Sequence, residues 1–331
     1  MTVHLLMLLV VVGLALPALA GPRILRSAAP ALMRLPRVAT GLIVGSTTAW
    51  VLAALSIGPL LAWMVTGPDI LPGGAAEVCS KCLAAADPFG LDRVDTAVPV
   101  ILLLVVPFAV SGFQVVSIAR ELRRRHHRLR RTADELRHGS RTRRLVGHAV
   151  RVVDDAHPFA MTLPRRYGGI VVSSGALEAL APDELRAVLA HEQAHLKQRH
   201  HLITAFVTIV TARMRWVPLF TAAESALHHY LEIAADDAAR RTVGTTALAS
   251  ALLVLGQQGH PARHRSGSDT ALFDDALHAL GPDRIRHLVE PGRGTAGVAA
   301  TVATAFCLTS LALLAAVVHV PYAMLMLTGC F

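Results

Sequence analysis

Cysteine is scarce and scattered in this sequence. There are four in 331 residues, too few for a disulfide scaffold. Cys79 and Cys82 form a lone CSKC, while Cys307 lies inside an apolar run and Cys330 next to the last residue. A structural zinc site needs a second ligand pair, and none stands near the CSKC, so a loop disulfide or two free thiols is the expectation there. Lysine is scarcer still: Lys81 and Lys197 are the only two, and nearly all positive charge is arginine. Charge as a whole is thin, at 17% of residues against 53% hydrophobic ones. That balance excludes an ordinary soluble domain.

What the chain has instead is long apolar runs. Crossing a bilayer takes roughly 20 apolar residues, and four stretches are long enough, near 3–20, 39–66, 97–119 and 297–327. The first competes with a signal-peptide reading, because ALPALA ending at Ala20 resembles a cleavage site, yet no Lys or Arg precedes it. Loop charges decide between the two. Residues 21–37 carry Arg23, Arg26, Arg34 and Arg37 and no acid. Residues 67–95 carry Asp69, Glu77, Asp87, Asp92 and Asp95 against Lys81 and Arg93. Residues 120–151 hold twelve arginines against three acids, a surplus equal to the net charge of the whole chain, +9. The positive-inside rule then places 21–37 and the region after 120 in the cytoplasm. Both assignments agree only if the first segment is retained as a span. A multi-pass protein of the inner (plasma) membrane is expected.

The arginine block has no interleaved aromatics and no nucleic-acid-binding motif. Beside a membrane span it reads as a topological anchor touching anionic headgroups, and no nucleic-acid partner is expected.

Residues 145–295 are the one sizeable segment that can fold in water. AVRVVDD (149–155) and GGIVVSS (168–174) are β-branched runs bounded by turn residues, hence two strands. A helix is expected to follow, with Pro182 in its first turn and Asp183 and Glu184 at the positive end of its dipole. Leu185, Val188, Leu189 and Leu196 form its apolar stripe, with Ala187, Ala190 and Ala194 around it. HEQAH (191–195) continues that stripe. Unpaired polar groups there would cost several kcal/mol, and a metal is one way to partner them. Histidines at i and i+4, His191 and His195, project from one helix face and can hold one Zn²⁺. Glu192 can then take a proton from the attacking water and pass it to the leaving amine.

A catalytic zinc needs a third protein ligand. ESALHHYLEIAADDAARR (224–241) also has a helical pattern, with small alanines that allow close approach to HEQAH. Glu232 can complete a His, His, Glu set, and Asp236, four residues on, can fix the tautomer of a ligating histidine. Glu224 is the rival ligand, and His228, one turn before Glu232, can support the site. LITAFVTIVTARMRWVPLF (202–220) lies between the two helices. As a single span it would separate Glu232 from HEQAH, and Arg213 and Arg215 interrupt it. A buried or re-entrant hairpin at the inner leaflet is expected.

The run from GGIVVSSGALEALAPDELRAVLAHEQAHLKQRHH through a hydrophobic stretch to LEIAADDAA resembles the membrane-embedded gluzincin metalloproteases. The nearest branch is the BlaR/MecR-like peptidases, with HtpX and the CAAX prenyl proteases as cousins. The likeness covers about 145–290, and DRIRHL (283–288) is similar as well. Ala181 stands where a capping serine or threonine is expected. The resemblance implies His191, His195 and Glu232 as zinc ligands and Glu192 as catalytic base. The antibiotic-sensing members carry an extracellular penicillin-binding domain after the last span. This sequence ends at Phe331 and has no Ser-x-x-Lys, so β-lactam sensing of that kind is not expected.

The expected fold is a polytopic α-helical membrane protein with an α+β gluzincin-type metalloprotease domain, a small sheet plus the HExxH helix and a Glu-bearing helix. Residues 1–119 hold three transmembrane helices and the extracytoplasmic loop 67–96. Residues 120–144 form a basic juxtamembrane segment, 145–295 the protease domain with the hairpin 202–220, and 296–331 the C-terminal span. The expected activity is zinc-dependent endoproteolysis of a cytoplasmic or membrane protein, with one Zn²⁺ per chain. A cytoplasmic winged-helix repressor is one possible substrate in regulatory proteolysis. Membrane-protein quality control and a non-catalytic zinc-bound signalling scaffold are the alternatives. Substrate is expected beside an edge strand, GGIVVSS or FAMTL.

Overall fold

The computed structural model describes residues 3–66, 100–258 and 295–328. The loop 67–96 with Cys79 and Cys82, and DRIRHL at 283–288, lie outside the described residues. The chain runs α1 (Val3–Leu32), α2 (Pro36–Thr66), α3 (Val100–His138), β1 (Ser140–Leu145), β2 (His148–Val153), β3 (Ala160–Thr162), a 3₁₀ turn (Arg165–Tyr167) and β4 (Ile170–Ser173). Then come α4 (Ser174–Ala179), α5 (Pro182–Lys197), α6 (His200–Thr211), α7 (Pro218–Val243), α8 (Thr245–Gln258) and α9 (Val298–Thr328).

The apolar runs become helices, with different ends from those expected. α1 does not stop at residue 20 but continues to Leu32, carrying Pro17, Pro22 and Pro30 within it. α3 has 39 residues, about 58 Å at 1.5 Å per residue, so the third apolar run and most of the basic segment are one helix. Among the described residues, two stretches are long and apolar enough to cross a membrane, Pro36–Ile57 and Val298–Ala316.

Among the described residues the sheet has four strands in the order β1-β2-β4-β3. β1 and β2 are an antiparallel hairpin, β2 and β4 are parallel, and β3 is antiparallel to β4. Two of these strands were expected. β1 (SRTRRL) lies in the basic segment, and its exposed arginines leave no apolar alternation to read. It closes on β2 through Val146 and Gly147, both at positive φ (48° and 80°), as a two-residue hairpin turn requires. The strand within GGIVVSS, Ile170–Ser173, is not an edge but lies between β2 and β3, fully buried. The edge on that side is β3, within FAMTL.

The core forms where α4, α5 and α8 cover the sheet. Val150, Ile170 and Val172 pack with Ala176, Leu180, Val188, Leu189, Leu196 and Ala251. The stripe read from the spacing of α5 is this face; each fully buried Val or Leu contributes about 1.5–3 kcal/mol. α6 and α7 form a helical hairpin against α1 and α2. Val207, Leu227, Tyr230 and Ile233 pack on Ala28, Leu32, Ala39 and Ile43. At the turn of the hairpin, Phe220 is fully buried and meets Trp50 of α2 edge-on, with ring centroids 5.2 Å apart.

Candidate metal centre

α5 begins as its sequence dictates. Pro182 occupies its first turn and Asp183 and Glu184 follow. Ala181 does hold the N-cap position and gives no side-chain hydrogen bond. The backbone N–H of Ala181 instead donates to Glu184 Oε2 at 2.8 Å. The Glu184 carboxyl is held below the usual range, first by the Ser250 hydroxyl that donates to it and then by this backbone bond.

Farther along α5, His191 and Glu192 are buried, at 7% and 9% exposure. α7 crosses this face on small residues: Ala234, Ala235 and Ala239 are buried, as are Ala187 and Ala194 opposite. The close approach brings Glu232 to the histidines. Nε2 of His191 and Nε2 of His195 are 3.0 Å apart. Glu232 Oε2 is 3.3 Å from the first and Oε1 is 3.3 Å from the second. Tetrahedral ligands held about 2.0–2.1 Å from a zinc ion are about 3.3 Å from one another. The two imidazole nitrogens and a carboxylate that turns one oxygen toward each of them therefore suit zinc in donor type and in spacing, and they are the group that could hold a metal among the described residues.

The remaining polar groups orient these donors. Asp236, only 1% exposed, places Oδ1 2.9 Å from His191 Nδ1. Burial lowers the basicity of His191, but Asp236 and Glu232 outweigh it and hold the imidazole at about 10. Two carboxylates thus favour a cation at this point, and a divalent ion satisfies the same field. Glu192 is tied to the sheet: Thr162 of β3 lies 2.6 Å from Glu192 Oε2 and 3.0 Å from its backbone oxygen. The edge strand is thereby fixed beside the acid. Nothing in the spacing of FAMTL announced Thr162.

Glu224 is elsewhere. It precedes Glu232 by two helical turns, about 12 Å along the axis. Its carboxylate accepts from Arg215 Nη2 at 2.7 Å and from the buried Thr211 hydroxyl, closing the turn between α6 and α7. His228 faces its own helix, with Nδ1 2.8 Å from the Glu224 carbonyl oxygen. Sequence reasoning missed His200, which is buried with Nδ1 2.9 Å from His195 Nδ1. Burial, and next the neighbouring His195, push the His200 imidazole down to about 3.

Residues 119–265 match the model of Peptidase family M48, a family of zinc metallopeptidases. No curated protein and no solved structure matches the chain. The match spans the whole sheet, both site helices and all of the basic segment. It and the His, His, Glu group support a metallopeptidase.

Proposed function

We propose that this chain, with its M48-type segment at 119–265, is a polytopic membrane zinc endopeptidase of the BlaR/MecR-like kind. Its active site faces the cytoplasm, and it cleaves a cytoplasmic or membrane protein in regulatory proteolysis. The observation that carries the activity is the convergence of His191, His195 and Glu232, with Glu192 beside them on α5. His191, His195 and Glu232 would hold the zinc. Bound there, zinc supplies Lewis-acid chemistry, making water nucleophilic at neutral pH and polarising a peptide carbonyl.

The rest belongs to the protein. The Glu192 carboxylate accepts the proton of the attacking water and delivers it to the leaving amine. Thr162 holds Glu192 Oε2 in place. β3 pairs on one side with β4 and ends the sheet on the other, so an extended substrate adds there as a further strand. Main-chain hydrogen bonds then lay its peptide bond along the edge next to Glu192. An acid positioned in this way argues against a non-catalytic scaffold.

The membrane reading rests on the arginine asymmetry and on the apolar stretches Pro36–Ile57 and Val298–Ala316. It also draws on the α6–α7 hairpin, whose Phe220 packs beside Trp50 within the first of those stretches. A small cytoplasmic winged-helix repressor is the favoured substrate.

Glu192→Gln tests the mechanism. The amide keeps the shape and cannot take a proton, so zinc content should match wild type while cleavage of an unfolded protein such as casein falls by about 10²–10⁴-fold. Hydrolysis at the wild-type rate by the purified variant would remove Glu192 from the mechanism.

A further inference from the structure

We propose that His200 is a positioning residue for His195: its Nδ1 accepts the Nδ1–H of His195 and thereby aims Nε2 of His195 at the metal. The inference rests on the zinc reading above and adds a residue to it. Both nitrogens of the His195 ring are engaged, Nε2 with His191 and Glu232 and Nδ1 with His200 at 2.9 Å. A ring that gives its Nε2 lone pair to a metal carries its proton on Nδ1, so that atom can only donate. The atom facing it must accept. His200 therefore carries its own proton on Nε2, and the two imidazoles meet edge-on with centroids 4.7 Å apart.

The backbone supports this role independently. In a continued helix, a residue five places after His195 would stand about 140° around the axis from it. The helix does not continue. α5 ends at Lys197, Arg199 adopts left-handed φ of 54°, and α6 starts at His200. An arginine in that region is uncommon and unfavourable. The break returns the chain so that His200, 4% exposed, lies under His195. Gln198 fastens the break to α7 through the Ala234 carbonyl at 3.3 Å. The two histidine ligands are thus supported differently, His191 by the carboxylate of Asp236 and His195 by an imidazole.

The test uses the full-length protein in detergent, with zinc affinity read by competition against a chromophoric chelator. Cobalt(II) absorption reports the ligand geometry, and circular dichroism the fold. His200→Ala and His200→Leu both remove the acceptor and fill the space differently. Each should weaken zinc binding about 10–100-fold and shift the cobalt bands, the scale seen when an outer partner of a ligating histidine is lost. His200→Asn places Oδ1 where Nδ1 was and should stay within about threefold of wild type. Arg199→Gly, which enters the left-handed region freely, should bind like wild type.

A folded His200→Ala or His200→Leu protein with wild-type affinity and cobalt spectrum would overturn the proposal. Equal weakening in His200→Asn would also overturn it, because the side chain would then act by packing. Wild-type protein that binds no zinc would be a different failure, overturning the metallopeptidase reading beneath.

Discussion

Glu224 and Glu232 stand on one helix, both partly or fully buried and both in reach of a cation, yet their removal should have opposite consequences. Glu232→Ala deletes one of three donors and should lower zinc affinity by more than about 100-fold, beyond the loss typical of an outer partner. Glu224→Ala should leave zinc at one per chain and lower stability instead. Its size follows from the partners. Arg215 is 63% exposed on its side chain and rehydrates when freed, so the cost of about 3–5 kcal/mol for stranding a buried charge does not apply. The exposed half of the pair contributes at most about 1 kcal/mol. The charge-assisted bond from Thr211, a residue with no exposed surface, contributes about 1.5–3 kcal/mol. Without Glu224 the single Thr211 hydroxyl proton can turn wholly to the Val207 carbonyl, 2.9 Å away, which holds its share near the lower figure. The total is about 2–3 kcal/mol, a fall in the thermal midpoint of roughly 5–10 °C. Metal analysis and thermal unfolding of both purified variants read the two effects separately. Zinc loss in Glu224→Ala at a temperature where the variant is folded, with zinc retained in Glu232→Ala, would refute the assignment of the third ligand.

Two further outcomes are expected. The folded-state value of about 10 for His191 lies above the ordinary histidine value of about 6.5, so its contribution to the metal-free protein is complete below about 6.5 and lost as pH rises through 10. The thermal midpoint of metal-free protein should therefore decline across that window, and zinc loading, which requires neutral His191, should abolish the decline; equal slopes with and without zinc would contradict it. For topology, a cysteine introduced at Ser140 should resist a membrane-impermeant thiol reagent in intact cells and react after lysis. Labelling in intact cells would turn the active site outward and exclude cytoplasmic repressors as substrates.

The site was legible where its donors follow helical spacing, and not where they depend on chain reversal. HEQAH announced two candidate donors because i and i+4 share a face whatever the fold. The stripe Val188, Leu189 and Leu196 announced the buried side, because a 3.6-residue period allows only one. Thr162 gave no signal, since its role exists only when β3 docks against α5. His200 gave none because helical spacing places it on the wrong side, and the left-handed turn at Arg199 reverses that. β1 was unreadable for a different reason: an edge strand facing water carries charge in place of alternation.

The sequence by itself determined the apolar helices, the charge asymmetry across them, the two strands rich in β-branched residues and the pair of histidines with their acid. All of these follow from local periodicity and composition, which act over a few residues. Only the tertiary structure set Glu232 rather than Glu224 beside the two histidines, made β3 rather than β4 the edge, and brought Asp236 and His200 to the outer nitrogens of the two histidines. These outcomes depend on how closely α5 and α7 approach over their alanines and on where α5 breaks. A distance of about 3 Å between residues some forty positions apart, such as His191 and Glu232, is set by packing and cannot be read from spacing along the chain.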